Sequence, residues 1–269
     1  MDAPEDPSPA SSGEKAARFD RLAPAGDPAD VEQIVADLGL WERPGSGRRV
    51  MLNMVSTVDG RATLGGRSGP LSDSADRQLF HGLRSAVDAV LVGAGTVRAE
   101  RYGRIVPDAS RRSQRLARGL SEEPLACIVS GRVALEPDIP LLNEPDAQVV
   151  VLTASAASLP ACEAHVDYVR AGDAGRLDLT AALAELCERF HVQSILCEGG
   201  PHLAFQLLSA ELVDDLFLTL SPLLAGGESA GGETLRVLAG GELEPPVELE
   251  LLTALRAGPS LFLRYGVRA

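Results

Sequence analysis

The chain has 269 residues, enough for one large domain or two small ones, and its 45% hydrophobic and 23% charged content is that of an ordinary globular protein. A net charge of −13 argues against nucleic acid or an anionic membrane surface as partner. No run of about 18 apolar residues occurs, so no membrane span is expected, and the acidic, Pro/Ser-rich start lacks the basic and apolar regions of a secretory signal.

Residues 1–27 are rich in Pro, Ala, Ser and Asp without periodicity and read as a disordered leader. A short helix should follow, capped by Asp27, started by Pro28, striped by Val31, Ile34, Val35 and Leu38 and ended by Gly39. Pro44-Gly45-Ser46-Gly47 then forms a connector, so that 28–47 is a helix and linker ahead of one domain over 48–269. The domain opens with a strand from Val50 to Val55 and an exit turn, Ser56 to Gly60. Ser72 or Asp73 caps a helix striped by Leu79, Leu83 and Val87. Ala89 to Val92 is a buried strand, with a helix starting at Thr96. Leu125–Val129 and Val149–Leu152 are further strands.

Asp178 caps an amphipathic helix through Leu179, Leu183, Leu186 and Phe190. Strand Ile195–Cys197, helix Pro201–Leu208 and strand Leu216–Leu220 come next. The tail, Val247–Leu252 and Leu261–Val267, alternates like a hairpin joined through Gly258-Pro259. Strands alternating with helices, followed by antiparallel pairing, predict an α/β three-layer fold with a mixed sheet.

Two strand-to-helix turns carry the chemistry. Glu198-Gly199-Gly200-Pro201 follows a buried strand; its glycines let backbone N–H groups approach a ligand, and the helix N-terminus favours phosphate. Gly93-Ala94-Gly95-Thr96 is the second such turn, with Arg98 where a dinucleotide fingerprint needs its third glycine. Glu198 ends its strand and should face the same crevice. Asp59 reads either as half of an Asp-Gly turn or as a carboxylate at a strand end. Arg84 reads as a solvated helix arginine.

The run Arg98, Arg101, Arg104, Arg111, Arg112, Arg115 and Arg118 reads as a solvent-facing basic helix, or as the source of one phosphate-binding arginine. Ser130-Gly131-Arg132 is either a plain turn or a holder for the 2′-phosphate of an NADP-type cofactor. The four cysteines (Cys127, Cys162, Cys187, Cys197) and four histidines have no metal-ligand spacing, so reduced thiols, no metal and a cytoplasmic setting are expected.

In order, Asn53–Gly60, His81-Gly82-Leu83-Arg84, Asp88–Thr96, Glu198–Leu203, Leu212–Leu216 and Ser221–Gly227 resemble one family. It is the C-terminal reductase domain of the riboflavin-biosynthesis deaminase–reductases, a dihydrofolate-reductase-like fold, and the likeness covers roughly 48–269. The resemblance implies a mixed central sheet with helices on both faces, a homodimer and a stand-alone NADPH-dependent reductase. Its substrate would be a phosphorylated ribosylaminopyrimidine, as in 5-amino-6-(5-phosphoribosylamino)uracil reductases.

By position, NADPH would be held by Thr96 with Gly93 and Gly95, by Gly199, Gly200, Pro201, His202 and Leu203, and by the region of Ser130 and Arg132. Ser68, Arg84 and Glu198 would meet the substrate. Asn53 and Arg104 join them, the latter from a stretch, Glu100 to Arg104, that departs from the family's usual turn. Asp59 or Glu198 would orient or protonate the sugar nitrogen while hydride reaches ribose C1′. A pterin reductase of dihydrofolate type on the same fold, or a non-catalytic nucleotide-binding protein, are the alternatives.

Overall fold

A computed structural model describes residues 15–40, 47–173, 175–226 and 235–268. Thirteen strands and six α-helices are present among them. In chain order they are β1 (Phe19–Ala23), β2 (Ala25–Ala29), α1 (Val31–Asp37), β3 (Arg49–Thr57), α2 (Ser74–Arg84), β4 (Ala89–Gly93), α3 (Ala94–Glu100), α4 (Ala109–Ala117), β5 (Leu125–Val129), β6 (Gln148–Thr153) and β7 (His165–Arg170). The short β8 (Gly172–Asp173) and β9 (Arg176–Leu177), then α5 (Leu179–Phe190), β10 (Ser194–Cys197), α6 (Pro201–Ser209), β11 (Asp215–Ser221), β12 (Leu249–Ala257) and β13 (Ser260–Val267) complete it. Eleven strands form one sheet in the order β2-β1-β12-β13-β11-β3-β10-β4-β5-β6-β7. Pairing is parallel from β11 to β7 and antiparallel from β2 to the β13–β11 edge.

Both faces of the parallel part are covered, which is why its strands are continuous apolar runs. Successive residues alternate between two cores. Met51, Val90, Val92, Ile128 and Leu196 pack with α1, α2 and α3 on one face. Leu52, Leu91, Cys127, Ile195 and Cys197 pack with α5 and α6 on the other. The three-layer α/β arrangement expected from the element pattern is the one found.

Three local expectations are corrected. Residues 15–27 are no disordered leader: β1 and β2 form a hairpin that pairs with β12 and extends the sheet. Phe19 anchors it, fully buried and edge-on to Phe262 with ring centroids 5.1 Å apart. One aromatic in a polar stretch leaves no periodicity to read. The first helix is capped by Asp30, not Asp27, because Asp30 and Gln33 form a reciprocal capping box. The basic run is no wholly solvent-facing helix: Arg115 is fully buried, donating to the carbonyls of Ser85, Val87 and Ser121. Residues 1–14 and the connector residues 44–46 lie outside the described residues.

Removing the Phe19 ring would leave a cavity at the junction of hairpin and sheet. Phe19→Ala should lower unfolding stability by about 3–5 kcal/mol, read from the urea midpoint. A loss below about 1 kcal/mol would show that the hairpin contributes little.

Candidate active site

Strands β4 and β10 are parallel neighbours, with Leu91 opposite Cys197. β4 ends in Gly93, β10 leads through Glu198 into Gly199, and each feeds a helix, so the two turns meet. The Gly93 N–H donates to the Gly199 carbonyl at 2.8 Å, and the Glu198 N–H to the Leu91 carbonyl at 2.9 Å. The Gly199–Gly200 peptide is cis, and Gly199 has φ 86°, a region that disfavours any side chain. A Cβ on Gly199 would lie 3.3 Å from the Met54 sulfur, and one on Gly200 would lie 2.8 Å from Thr96 Oγ1. Backbone and the Thr96 hydroxyl therefore fill the junction with no room for a methyl group.

Pro201 begins α6, where a missing N–H costs nothing, and the His202 and Leu203 N–H groups have no acceptor within their helix. The Leu203 side chain is core, so only its backbone serves the site; the His202 ring is exposed beside Gly240. The Gly95 and Thr96 N–H groups open α3 in the same way.

Glu198 does not project freely into the crevice, as its position at a strand end suggested. Arg84 from α2 grips it with two bonds of 2.7 Å, Nε to Oε1 and Nη2 to Oε2. The two side chains are 9% and 2% exposed. The Tyr102 hydroxyl donates to Oε2 at 2.6 Å, and Arg84 Nη1 donates to the Ile105 carbonyl at 3.2 Å. The Arg84 guanidinium also stacks over the Phe80 ring at 4.1 Å. Burial alone would lower the Arg84 pKa, but the Glu198 carboxylate overrides it and holds the guanidinium above its ordinary value. Burial and the Glu198 charge push the Tyr102 phenol well up, so it stays a donor. Arg84 is thus no solvated surface arginine. Tyr102 and Phe80 have no sequence signal beyond standing near glycine and one turn before Arg84.

The other expected residues divide. Asp59 accepts from the Thr57 hydroxyl and the Ala225 and Gly226 N–H groups, which together hold its carboxyl down at about 2. It is an ionised clamp on the 225–226 loop and a poor proton donor near neutral pH. Ser68 gives both its N–H and hydroxyl to Glu100 Oε1, at 2.6 and 2.9 Å, so its polar atoms face an internal carboxylate. Arg104 meets Glu123, Glu144 and Asp146 at 3.4–3.5 Å, so a substrate phosphate there would compete with three carboxylates. Arg98 and Arg101 likewise bond to Ala134 and Asp138.

The Ser130 hydroxyl accepts from the Val133 N–H at 3.0 Å and shapes the turn. That turn follows β5, whose Val129 lies opposite Gly93, so exposed Arg132 stands on the same edge as the glycine turns. Asn53 lies mid-strand opposite Phe217 and lines a cavity under α1 and α2. Among the described residues no group of three His, Cys, Asp or Glu is placed to hold a metal, and no helix is long and apolar enough to cross a membrane. Burial pushes the Cys197 thiol up to about 12, leaving it inert.

Glu198→Gln leaves Arg84 buried without its counter-charge and should cost about 3 kcal/mol of stability. Tyr102→Phe should cost only about 1 kcal/mol, because the charge pair persists. Guanidinium denaturation of both variants checks the ranking, and equal losses would contradict it.

The sequence pattern of the RibD C-terminal domain matches residues 48–262. A 2,5-diamino-6-ribosylamino-4(3H)-pyrimidinone 5′-phosphate reductase of Methanothermobacter thermautotrophicus is 28% identical over 228 residues, covering 81% of this chain and 98% of its own. A pyrimidine reductase-like protein of Corynebacterium diphtheriae superposes with a TM-score of 0.70 at 26% identity, covering 89% of this chain and 99% of that one. A Thermotoga maritima deaminase/5-amino-6-(5-phosphoribosylamino)uracil reductase shares the fold, with a TM-score of 0.64 at 21% identity over 82% of this chain and 57% of that one. The joined glycine turns and the buried pair behind them are thus found on a chain that belongs to the RibD C-terminal domain family.

Proposed function

We propose that the chain is an NADPH-dependent reductase acting at the ribose C1′ of a ribosylaminopyrimidine phosphate. The observation that carries this is the meeting of two glycine turns at the ends of β4 and β10, held by the Gly93–Gly199 hydrogen bond. Gly200 packs closely on the Thr96 hydroxyl, which locks the two turns together, and the first-turn N–H groups of α3 and α6 that have no helical acceptor suit a pyrophosphate. The N–H groups of Gly95, Thr96, His202 and Leu203 and the Thr96 hydroxyl would hold it. Arg132, exposed at the neighbouring β5 turn and without an ion pair among the described residues, suits a 2′-phosphate. NADPH, when bound, supplies the hydride.

The chain's own part is alignment and electrostatics. Glu198 keeps Arg84 charged and in place, so the pair presents a fixed, nearly neutral wall beside the glycine turns. Asp59 fixes the 225–226 loop at the end of β11. Ser68 and Arg67 meet Glu100 on the far end of α3, Arg67 at 3.5 Å. A substrate phosphate directed there must displace that carboxylate. The family resemblance also supports a homodimer and a cytoplasmic setting.

Purified protein should oxidise NADPH only when a ribosylaminopyrimidine phosphate is added, followed by the loss of NADPH absorbance. Arg132→Ala should cut the preference for NADPH over NADH by about tenfold, equivalent to roughly 1.4 kcal/mol. Absence of turnover with the pyrimidine would refute the assignment.

A further inference from the structure

Two arginines beyond the end of β3 have no part in the roles above. Arg61 closes the turn after Thr57: its N–H donates to the Thr57 hydroxyl at 2.9 Å, and its carbonyl accepts from the Thr57 N–H at 2.9 Å. Arg236 lies directly opposite it in an isolated antiparallel bridge, and the Ala62 N–H donates to the Leu235 carbonyl at 2.9 Å. Residues directly opposite in such a bridge send their side chains to one face, with Cβ atoms about 5 Å apart. Two positive charges therefore start side by side, an arrangement that costs stability unless an anion lies between them.

No such anion is built in among the described residues. Neither guanidinium forms an ion pair there, whereas Arg67, Arg84, Arg101 and Arg104 each meet a carboxylate. Asp59, two residues before Arg61, gives its carboxylate to the Thr57 hydroxyl and to the Ala225 and Gly226 N–H groups. Arg61 directs Nη1 to the Ala225 carbonyl at a long 3.5 Å, and its Nε is buried with no hydrogen-bond partner. A buried donor without an acceptor is costly, and more so on a charged group. Arg236 is exposed, so a ligand can reach the pair from solvent. β3 runs parallel to β10, and β10 to β4, so this exit turn stands at the same end of the sheet as the glycine turns.

We propose that Arg61 and Arg236 form a seat for a phosphate group, the dianionic end of a phosphomonoester or inorganic phosphate itself. A dianion matches two cations, whereas a single carboxylate leaves one of them uncompensated. Guanidinium forks bind phosphate oxygens in pairs, and a phosphate would give Arg61 Nε the acceptor it lacks. Bound there, it bridges the turn after β3 and residues 235–236, beside the 225–226 loop that Asp59 holds. The seat stands on this geometry alone. Its assignment to the substrate's own phosphate rests on the reductase reading above, in which Arg104 already meets three carboxylates and Ser68 faces Glu100.

Calorimetry at matched ionic strength would titrate inorganic phosphate, acetate, and the ribitylamino product with and without its phosphate into cofactor-free wild type, Arg61→Gln and Arg236→Gln. Arg236 is exposed, so its variant decides the matter if Arg61→Gln fails to fold. Wild type should bind inorganic phosphate at about millimolar Kd or tighter, but not acetate, and each variant should weaken phosphate at least about tenfold. If the substrate supplies the phosphate, wild type binds the phosphorylated product at least about tenfold tighter than the dephosphorylated one. That ratio, and the matching ratio of kcat/KM, then collapses toward one in the variants. If free phosphate is the ligand, the ratio stays near one throughout and phosphate raises the melting temperature of wild type alone. Either result upholds the seat. Equal phosphate binding by wild type and Arg236→Gln, or no binding of phosphate in any form by wild type, overturns it. Glu228 and Glu233 stand between the two segments in sequence, outside the described residues. If Glu228→Gln with Glu233→Gln lowers the melting temperature as Arg236→Gln does, and phosphate changes none of the variants, those acids serve the arginines and the seat is overturned. Phosphate binding that the variants lose, without any turnover by wild type, keeps the seat and overturns the reductase reading.

Discussion

The Arg84–Glu198 ion pair sets where everything else in the site can be. Two charges buried in a mostly apolar layer are tolerated only when they meet with good geometry and their remaining polar atoms are satisfied. Here each guanidinium bond is 2.7 Å, Tyr102 supplies the last carboxylate bond, and the Ile105 carbonyl takes a further guanidinium N–H. The pair therefore ties α2, the end of β10 and the segment after α3 into one unit. Gly199 follows Glu198 directly, so the position of the glycine turn is inherited from the pair.

From that fixed point the path to function is short. The turn after β10 meets the turn after β4, and first-turn N–H groups collect along one edge of the sheet. The β5 turn with Arg132 continues the same edge. The layer under α2 holds a second, more enclosed region, a cavity with Asn53, Leu79 and Thr219 on its walls.

Much of this was legible in the order of residues. The parallel strands were, because burial on both faces makes them uninterrupted apolar runs. The glycine turns were, because only glycine tolerates the conformation at Gly199 and the contact at Gly200. Other features were hidden for physical reasons. Arg84 looks like any arginine next to a buried leucine, and its partner is 114 residues away. Nothing in the sequence beside Glu198 or Arg104 shows the internal charges that each meets. The hairpin β1–β2 depends on one phenylalanine meeting another across the sheet.

The joined turns after β4 and β10 form the proposed NADPH site. Backbone amide NMR of the cofactor-free protein, titrated with NADPH, tests it most directly. Large shifts saturating together are expected at Gly95, Thr96, Gly200, His202 and Leu203, with Arg132 moving more for NADPH than for NADH. Shifts confined to other surfaces, with these five amides unmoved at saturation, would contradict it.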